Sequence, residues 1–130
     1  MLKLRPLSSE DYPVIDEWIS RDPDHSSKGW TSANFNGLVA FVVEDEVGVI
    51  MFLGVEGGPL ARMYIQFDTG QERRTALALN ECSPKIKEGL KNAGCTQLVF
   101  ESVSRPLIAF CKRRLGFTRV LDSNDYITTL

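Results

Sequence analysis

The fold turns on Leu60-Ala61-Arg62-Met63-Tyr64-Ile65-Gln66-Phe67-Asp68-Thr69-Gly70-Gln71-Glu72-Arg73-Arg74-Thr75-Ala76. Its first half places Met63, Ile65 and Phe67 on alternate positions, the period of a strand with one buried face. Asp68-Thr69-Gly70 ends that pattern. From Gln71 to Ala93 the residues Leu79, Cys82, Ile86, Leu90 and Ala93 recur every three or four positions, the spacing of an amphipathic helix. A strand that runs straight into a long helix leaves the helix's first amides and the positive end of its dipole at the junction, which suits an anion such as a pyrophosphate. Pro84 lies inside the helical stretch. A proline there costs roughly 3 kcal/mol if the helix stays straight, which predicts a kink or break near Ser83.

Upstream, Leu38 to Val43 and Val47 to Val55 are β-branched and aromatic runs around Glu44-Asp45-Glu46, the layout of a hairpin. Gly57-Gly58-Pro59 turns the chain into the Leu60 to Phe67 strand, so three sequential antiparallel strands are expected. Asp22 to Gly37 is a long polar connection, read as a binding or flexible loop with a short helix near residues 31 to 35. Leu2 and Leu4 alternate with Lys3 and Arg5, giving a first strand over residues 2 to 6. Ser8-Ser9-Glu10-Asp11 offers capping hydroxyls and first-turn acids, and Val14, Ile15, Trp18 and Ile19 complete a helix over residues 9 to 20.

Downstream, Gly94 stops the long helix and Gln97 to Val103 reads as a strand. Ser104 and Pro106 open a last helix bearing Leu107, Ile108, Phe110, Cys111 and Leu115, which Gly116 ends. Thr118 to Leu121 and Tyr126 to Leu130 are short closing strands around Asp122-Ser123-Asn124-Asp125. The order is that of a mixed α/β (α+β) domain.

One hundred and thirty residues, 43% hydrophobic and 25% charged, make one globular domain spanning residues 1 to 130 with a core that needs no staple. A net charge of -2 gives no overall field that attracts nucleic acid or acidic lipid. No apolar run approaches the roughly 18 residues of a membrane span, and the first residues lack an apolar leader, so the expected compartment is the cytoplasm. Cys82, Cys95 and Cys111 are odd in number and form no C-x-x-C pair, so neither a disulfide framework nor a metal site is indicated. His25, without a Cys or His partner, is read as a loop histidine, and Trp30 in the same polar run as a wall of an acceptor site. Lys112-Arg113-Arg114 suits a helix C-terminus, where cations complement the dipole.

The element order resembles the GNAT N-acetyltransferase superfamily, and two segments carry the resemblance. At the strand-helix junction that family has Q/R-x-x-G-x-G/A. Gln71-x-x-Arg74-x-Ala76 matches its first and last positions, with Arg74 in place of the first glycine. The segment from Ser104 to Leu115-Gly116-Phe117 is similar to the family's last helix and its Leu-Gly-Phe turn, with Ser104 at an asparagine position. The family's tyrosine acid would fall at Cys111 or Lys112.

The resemblance implies a mostly antiparallel sheet splayed between its fourth and fifth strands. It implies acetyl transfer from acetyl-coenzyme A to a small-molecule or peptide amine, by direct attack, with no metal and no covalent intermediate. Gln71, Arg73, Arg74, Thr75 and Ala76 would hold the pyrophosphate, with Ser104 opening the facing helix. The amides of Met63, Tyr64 and Ile65 would pair with the pantetheine and polarise the thioester carbonyl. A carboxylate base is sought at Glu56, Asp68 or Glu101 and an acid at Cys111. The last strand, ending at Leu130, would offer an edge for a homodimer. The alternative is a catalytically inactive protein of this fold that serves in binding or assembly. The Arg73-Arg74 doublet looks like that of small degenerate relatives encoded by tailed phages.

Overall fold

The computed structural model describes all residues, 1 to 130. Seven strands form one sheet in the order β1-β2-β3-β4-β5-β7-β6. They are β1 (Lys3–Pro6), β2 (Val39–Glu44), β3 (Val49–Glu56), β4 (Leu60–Phe67), β5 (Gln97–Glu101), β6 (Thr118–Arg119) and β7 (Asp125–Thr129). The helices are α1 (Tyr12–Ser20), α2 (Pro23–Ser27), α3 (Glu72–Asn92) and α4 (Arg105–Arg114), with 3-10 turns at Ser9–Asp11 and Ser32–Phe35.

All strand pairs are antiparallel except β4 with β5. That parallel pair runs only through Leu60↔Gln97, Ala61↔Leu98 and Arg62↔Val99. It is pinned at its foot, where the Thr96 and Gln97 amides donate to the Pro59 carbonyl at 2.8 and 3.2 Å. Beyond Arg62 the strands part, and the sheet opens between Met63–Phe67 of β4 and the end of β5. The splay falls where the resemblance requires it.

β3 is the most enclosed strand, with Ile50, Met51, Phe52, Leu53 and Val55 all buried, because both faces of the sheet are covered here. One face carries the main core, where Met51, Leu53, Met63, Ile65 and Phe67 meet Leu79, Cys82 and Ile86 of α3 and Leu107 and Cys111 of α4. The opposite face carries a smaller cluster of Ile15, Trp18, Ile19, Phe35, Val42 and Phe52. Gly54 lets the second layer close: a Cβ there would sit 2.9 Å from Phe35 and 3.0 Å from Leu38. A larger residue would push both side chains off the strand.

Several boundaries differ from the sequence reading, each for a local reason. The expected helix over residues 9 to 20 is a 3-10 turn followed by α1, because Asp11 turns its carboxylate to Arg5 (2.8 and 3.0 Å) and the Ser8 amide (2.9 Å). The polar loop contains α2, capped by Asp22, whose Oδ1 accepts from the amides of Asp24 and His25 at 3.1 and 3.2 Å. α3 runs through Pro84 without a break. Cys82 and Ile86, buried on either side of it, hold both halves to the sheet, while Pro84 itself is exposed. β5 ends at Glu101 rather than Val103. The last strand, β7, lies between β5 and β6 and so is not the sheet's edge; the two-residue β6 is.

Candidate functional site

Where β4 and β5 separate, a cleft of about 300 Å³ opens. Ile65, Phe67, Phe100 and Leu107 form its apolar floor, and Thr69 and Glu72 bring in the start of α3. Ser102 and Ser104 bring in the start of α4, and Asp22, Asp24 and His25 line the cleft from α2. Two helix N-termini therefore open onto one gap in the sheet.

At α3 the first intrahelical bond runs from the Thr75 amide to the Gln71 carbonyl at 3.0 Å. The amides of Glu72, Arg73 and Arg74 precede it and have no carbonyl below them in the helix. The Glu72 carboxylate stands at this terminus and accepts from the Gly70 amide at 3.1 Å, so the helix's positive end already faces one negative charge. Thr75 is fully buried, its hydroxyl donating to the Gln71 carbonyl at 2.9 Å. Arg73, Gln71 and Gly70 are exposed around the same turn, and Ala76 is half-buried.

Arg74 is placed differently from the sequence expectation. Its guanidinium turns to the β2–β3 hairpin, 2.7 Å from Asp45 Oδ1, and also donates to the Gly48 and Val49 carbonyls at 3.3 and 3.4 Å. Arg73 is the arginine of the pair left free at the turn. Ser104 occupies the N-cap position of α4 with extended backbone, but its hydroxyl caps nothing. Ser102 Oγ instead accepts from the Ser104 amide at 3.1 Å, and Ser104 Oγ is buried at the cleft without a hydrogen-bond partner. Cys111 is 1% exposed in the main core, and burial pushes its thiol up to about 12. It packs in the apolar core and does not line the cleft.

A buried polar network that the sequence reading missed lies beside the cleft. His25 is a buried residue of α2 and not a loop histidine. Its Nδ1 lies 2.6 Å from Gln66 Oε1 and 3.1 Å from Asp22 Oδ2, and its ring stacks on Trp30 at 3.7 Å between centroids. Gln66, fully buried on β4, donates through Nε2 to Asp22 Oδ2 (3.3 Å) and the Phe67 carbonyl (2.9 Å). The signal available in advance was Asp22-Pro23, an N-cap acid followed by proline at the first helical position.

The outer face of β4 and β5 carries the remaining candidates. Tyr64 Oη donates to Glu56 Oε2 at 3.4 Å, and Trp30 tilts against the Tyr64 ring at 5.6 Å. Burial and the adjacent Glu56 hold the Tyr64 phenol above its ordinary pKa. Glu101 is paired with Lys28, which also holds Asp24. Burial works against the Lys28 ammonium, but these two carboxylates keep its pKa above the usual value. Arg62 pairs with Asp125 at 3.3 Å. Glu56 and Glu101 thus share a face with Tyr64 between them, and Cys111 is on the other side of the sheet.

Solved structures share the overall fold in which this cleft sits. The chain aligns over its whole length with the ribosomal-protein-S18-alanine N-acetyltransferase of Escherichia coli (17% identity, TM-score 0.67, covering 93% of that chain). It aligns likewise with a GNAT-family acetyltransferase of Staphylococcus aureus (12% identity, TM-score 0.66, 99% of that chain). The chain has the GNAT fold. An aminoglycoside acetyltransferase solved with coenzyme A shares the GNAT fold with 99% of the chain, at 13% identity and a TM-score of 0.68, over 95% of its own length. No protein-family model matches the sequence, and no curated sequence relative is found. Within this GNAT frame no group of three or more His, Cys, Asp or Glu side chains is arranged to hold a metal ion, and no helix is long and apolar enough to cross a membrane.

Proposed function

We propose that this chain is an N-acyltransferase that moves an acetyl group from acetyl-coenzyme A to an amine in the cytoplasm. One observation carries the reading: β4 loses its β5 partner after Arg62, and an open cleft lined by Ile65 and Phe67 lies on the side where a strand would pair. The amide-bearing pantetheine arm would take that place in the manner of an added strand. The β4 amides around Met63, Tyr64 and Ile65 would then polarise the thioester carbonyl in a site with an apolar floor.

The pyrophosphate would lie on the first-turn amides of α3, assisted by the free Arg73 side chain. Glu72 would have to release the Gly70 amide as the phosphate arrives. Arg74, engaged by Asp45, would contribute its amide and not its guanidinium. The unpartnered Ser104 hydroxyl would face the donor from the α4 side. The acceptor would approach over Tyr64. Glu56, held only by the Tyr64 hydroxyl, would take the amine proton as the N–C bond forms and the C–S bond breaks, releasing coenzyme A as the thiolate. Glu101, committed to Lys28, would shape the rim.

The same fold without catalysis, serving in binding or assembly, is favoured by Glu72 occupying the anion position and by the absence of a tyrosine in α4. Thermal unfolding with acetyl-coenzyme A separates the two. A ligand at 100 times its dissociation constant adds about 2.7 kcal/mol, and an amine panel scored by thiol release would then show turnover. No stabilisation at millimolar donor supports the non-catalytic reading.

A further inference from the structure

The largest apolar concavity lies away from the splay, between the C-terminal half of α3 and the outer strands of the sheet. It encloses about 440 Å³. Leu4, Phe41, Val55, Ile86, Leu90 and Cys95 wall it, and one charged group, Lys85, stands at its lining. A cavity of this size and character is that of a small-ligand site. We propose that this groove binds an aliphatic carboxylate, with the chain along the apolar wall and the carboxylate on Lys85.

Three observations support that occupant. Lys85 forms no ion pair, and no carboxylate lines the groove, so an anionic head meets an unspent cation. Gly89, one turn beyond Lys85, is a glycine inside a helix at ordinary helical φ, where alanine would be favoured. A Cβ at Gly89 would meet nothing within 4 Å, so no contact within the chain requires its absence. An occupant lying across the helix would require it. A second copy of the chain is disfavoured by charge. Two-fold pairing through the groove would bring Lys85 of one copy toward Lys85 of its partner, with no carboxylate in the lining to offset them.

Titration of the ¹⁵N-labelled protein with decanoate, below its micelle concentration, tests the proposal by amide shifts. Gly57, Gly58 and Gly89 should move and Gly70, just before the opposite end of α3, should not. From hexanoate to decanoate each added methylene should strengthen binding about 3- to 4-fold. Lys85→Glu should weaken decanoate at least about 10-fold while leaving decanol unaffected. Gly89→Leu should fill the groove and abolish binding, with a melting temperature no lower than that of the parent, which shows that the variant folds. Absence of shifts at millimolar decanoate would overturn the proposal. So would shifts centred on Gly70, equal binding by both variants, or sedimentation as a dimer that protects the groove. None of these readouts uses acetyl-coenzyme A, so the donor-site reading stands or falls separately.

Discussion

The two ends of helix α3 are built on opposite terms. At the first end the strong groups other than Arg73 are engaged within the chain: Arg74 holds Asp45 and two hairpin carbonyls, Glu72 holds the Gly70 amide, and Thr75, Ala78, Leu79 and Cys82 are buried. At the second end Ile86 is the last fully packed side chain, Lys85 is unpaired, and Gly89 opens the helix surface to a groove. The comparison teaches that a cation's chemistry is set by its surroundings and not by its motif. The arginine at the family's glycine position is a structural tie, whereas an unremarked lysine three turns on is free.

The largest expected effect sharpens that contrast through packing. Leu79→Ala should cost about 2 to 5 kcal/mol, the range for a fully buried leucine, and Leu90→Ala about half as much, because Leu90 is only half-buried. Denaturant midpoints at constant slope measure both, and equal losses would show the two ends to be packed alike. Next in size, Gly89→Ala should raise stability by about 1 kcal/mol. A loss there would mean that the groove is closed in solution.

Thiol chemistry gives a smaller, kinetic contrast. Burial pushes Cys82 up to about 11 and Cys111 to about 12, so both should alkylate far more slowly than a free thiol at neutral pH. Rapid modification of Cys111, blocked by coenzyme A, would instead bring it into the cleft. The mildest probe is acid. Burial pushes the Asp45 carboxyl up, but the Val47 amide, Arg74 and the Gly48 amide hold it below its ordinary value overall. A carboxyl depressed in the folded state stabilises it above the unfolded pKa, and that contribution fades as pH falls through the folded value. Arg74→Ala should flatten this part of the acid-unfolding curve, and an unchanged curve would remove the tie.

Much of the fold was legible from local pattern. The alternation of Met63, Ile65 and Phe67 gave β4 its bounds, and the abrupt change of period at Gly70 marked the junction that positions the cleft. The same periodicity put Cys82 and Cys111 in the core. α2 escaped because Asp24, His25, Ser26 and Ser27 carry no apolar period, and its evidence was a cap and a proline. The fate of Arg74 was hidden for another reason: Asp45 is 29 positions away, and only the folded sheet brings the hairpin to the helix. His25 and Gln66, 41 positions apart, are joined in the same non-local way. Pro84 does not break the helix, because its penalty is local while the burial of Cys82 and Ile86 that opposes it is tertiary.

The central claim is that the gap between β4 and β5 receives acetyl-coenzyme A. An amide-resolved titration of the labelled protein with acetyl-coenzyme A tests it most directly. The account predicts saturable shifts confined to Met63–Phe67, Gly70–Ala76 and Ser102–Ser104. It also predicts affinity lowered about 10-fold or more by Arg73→Ala and little changed by Arg74→Ala. Shifts absent at millimolar ligand, or centred outside the splay, would contradict it.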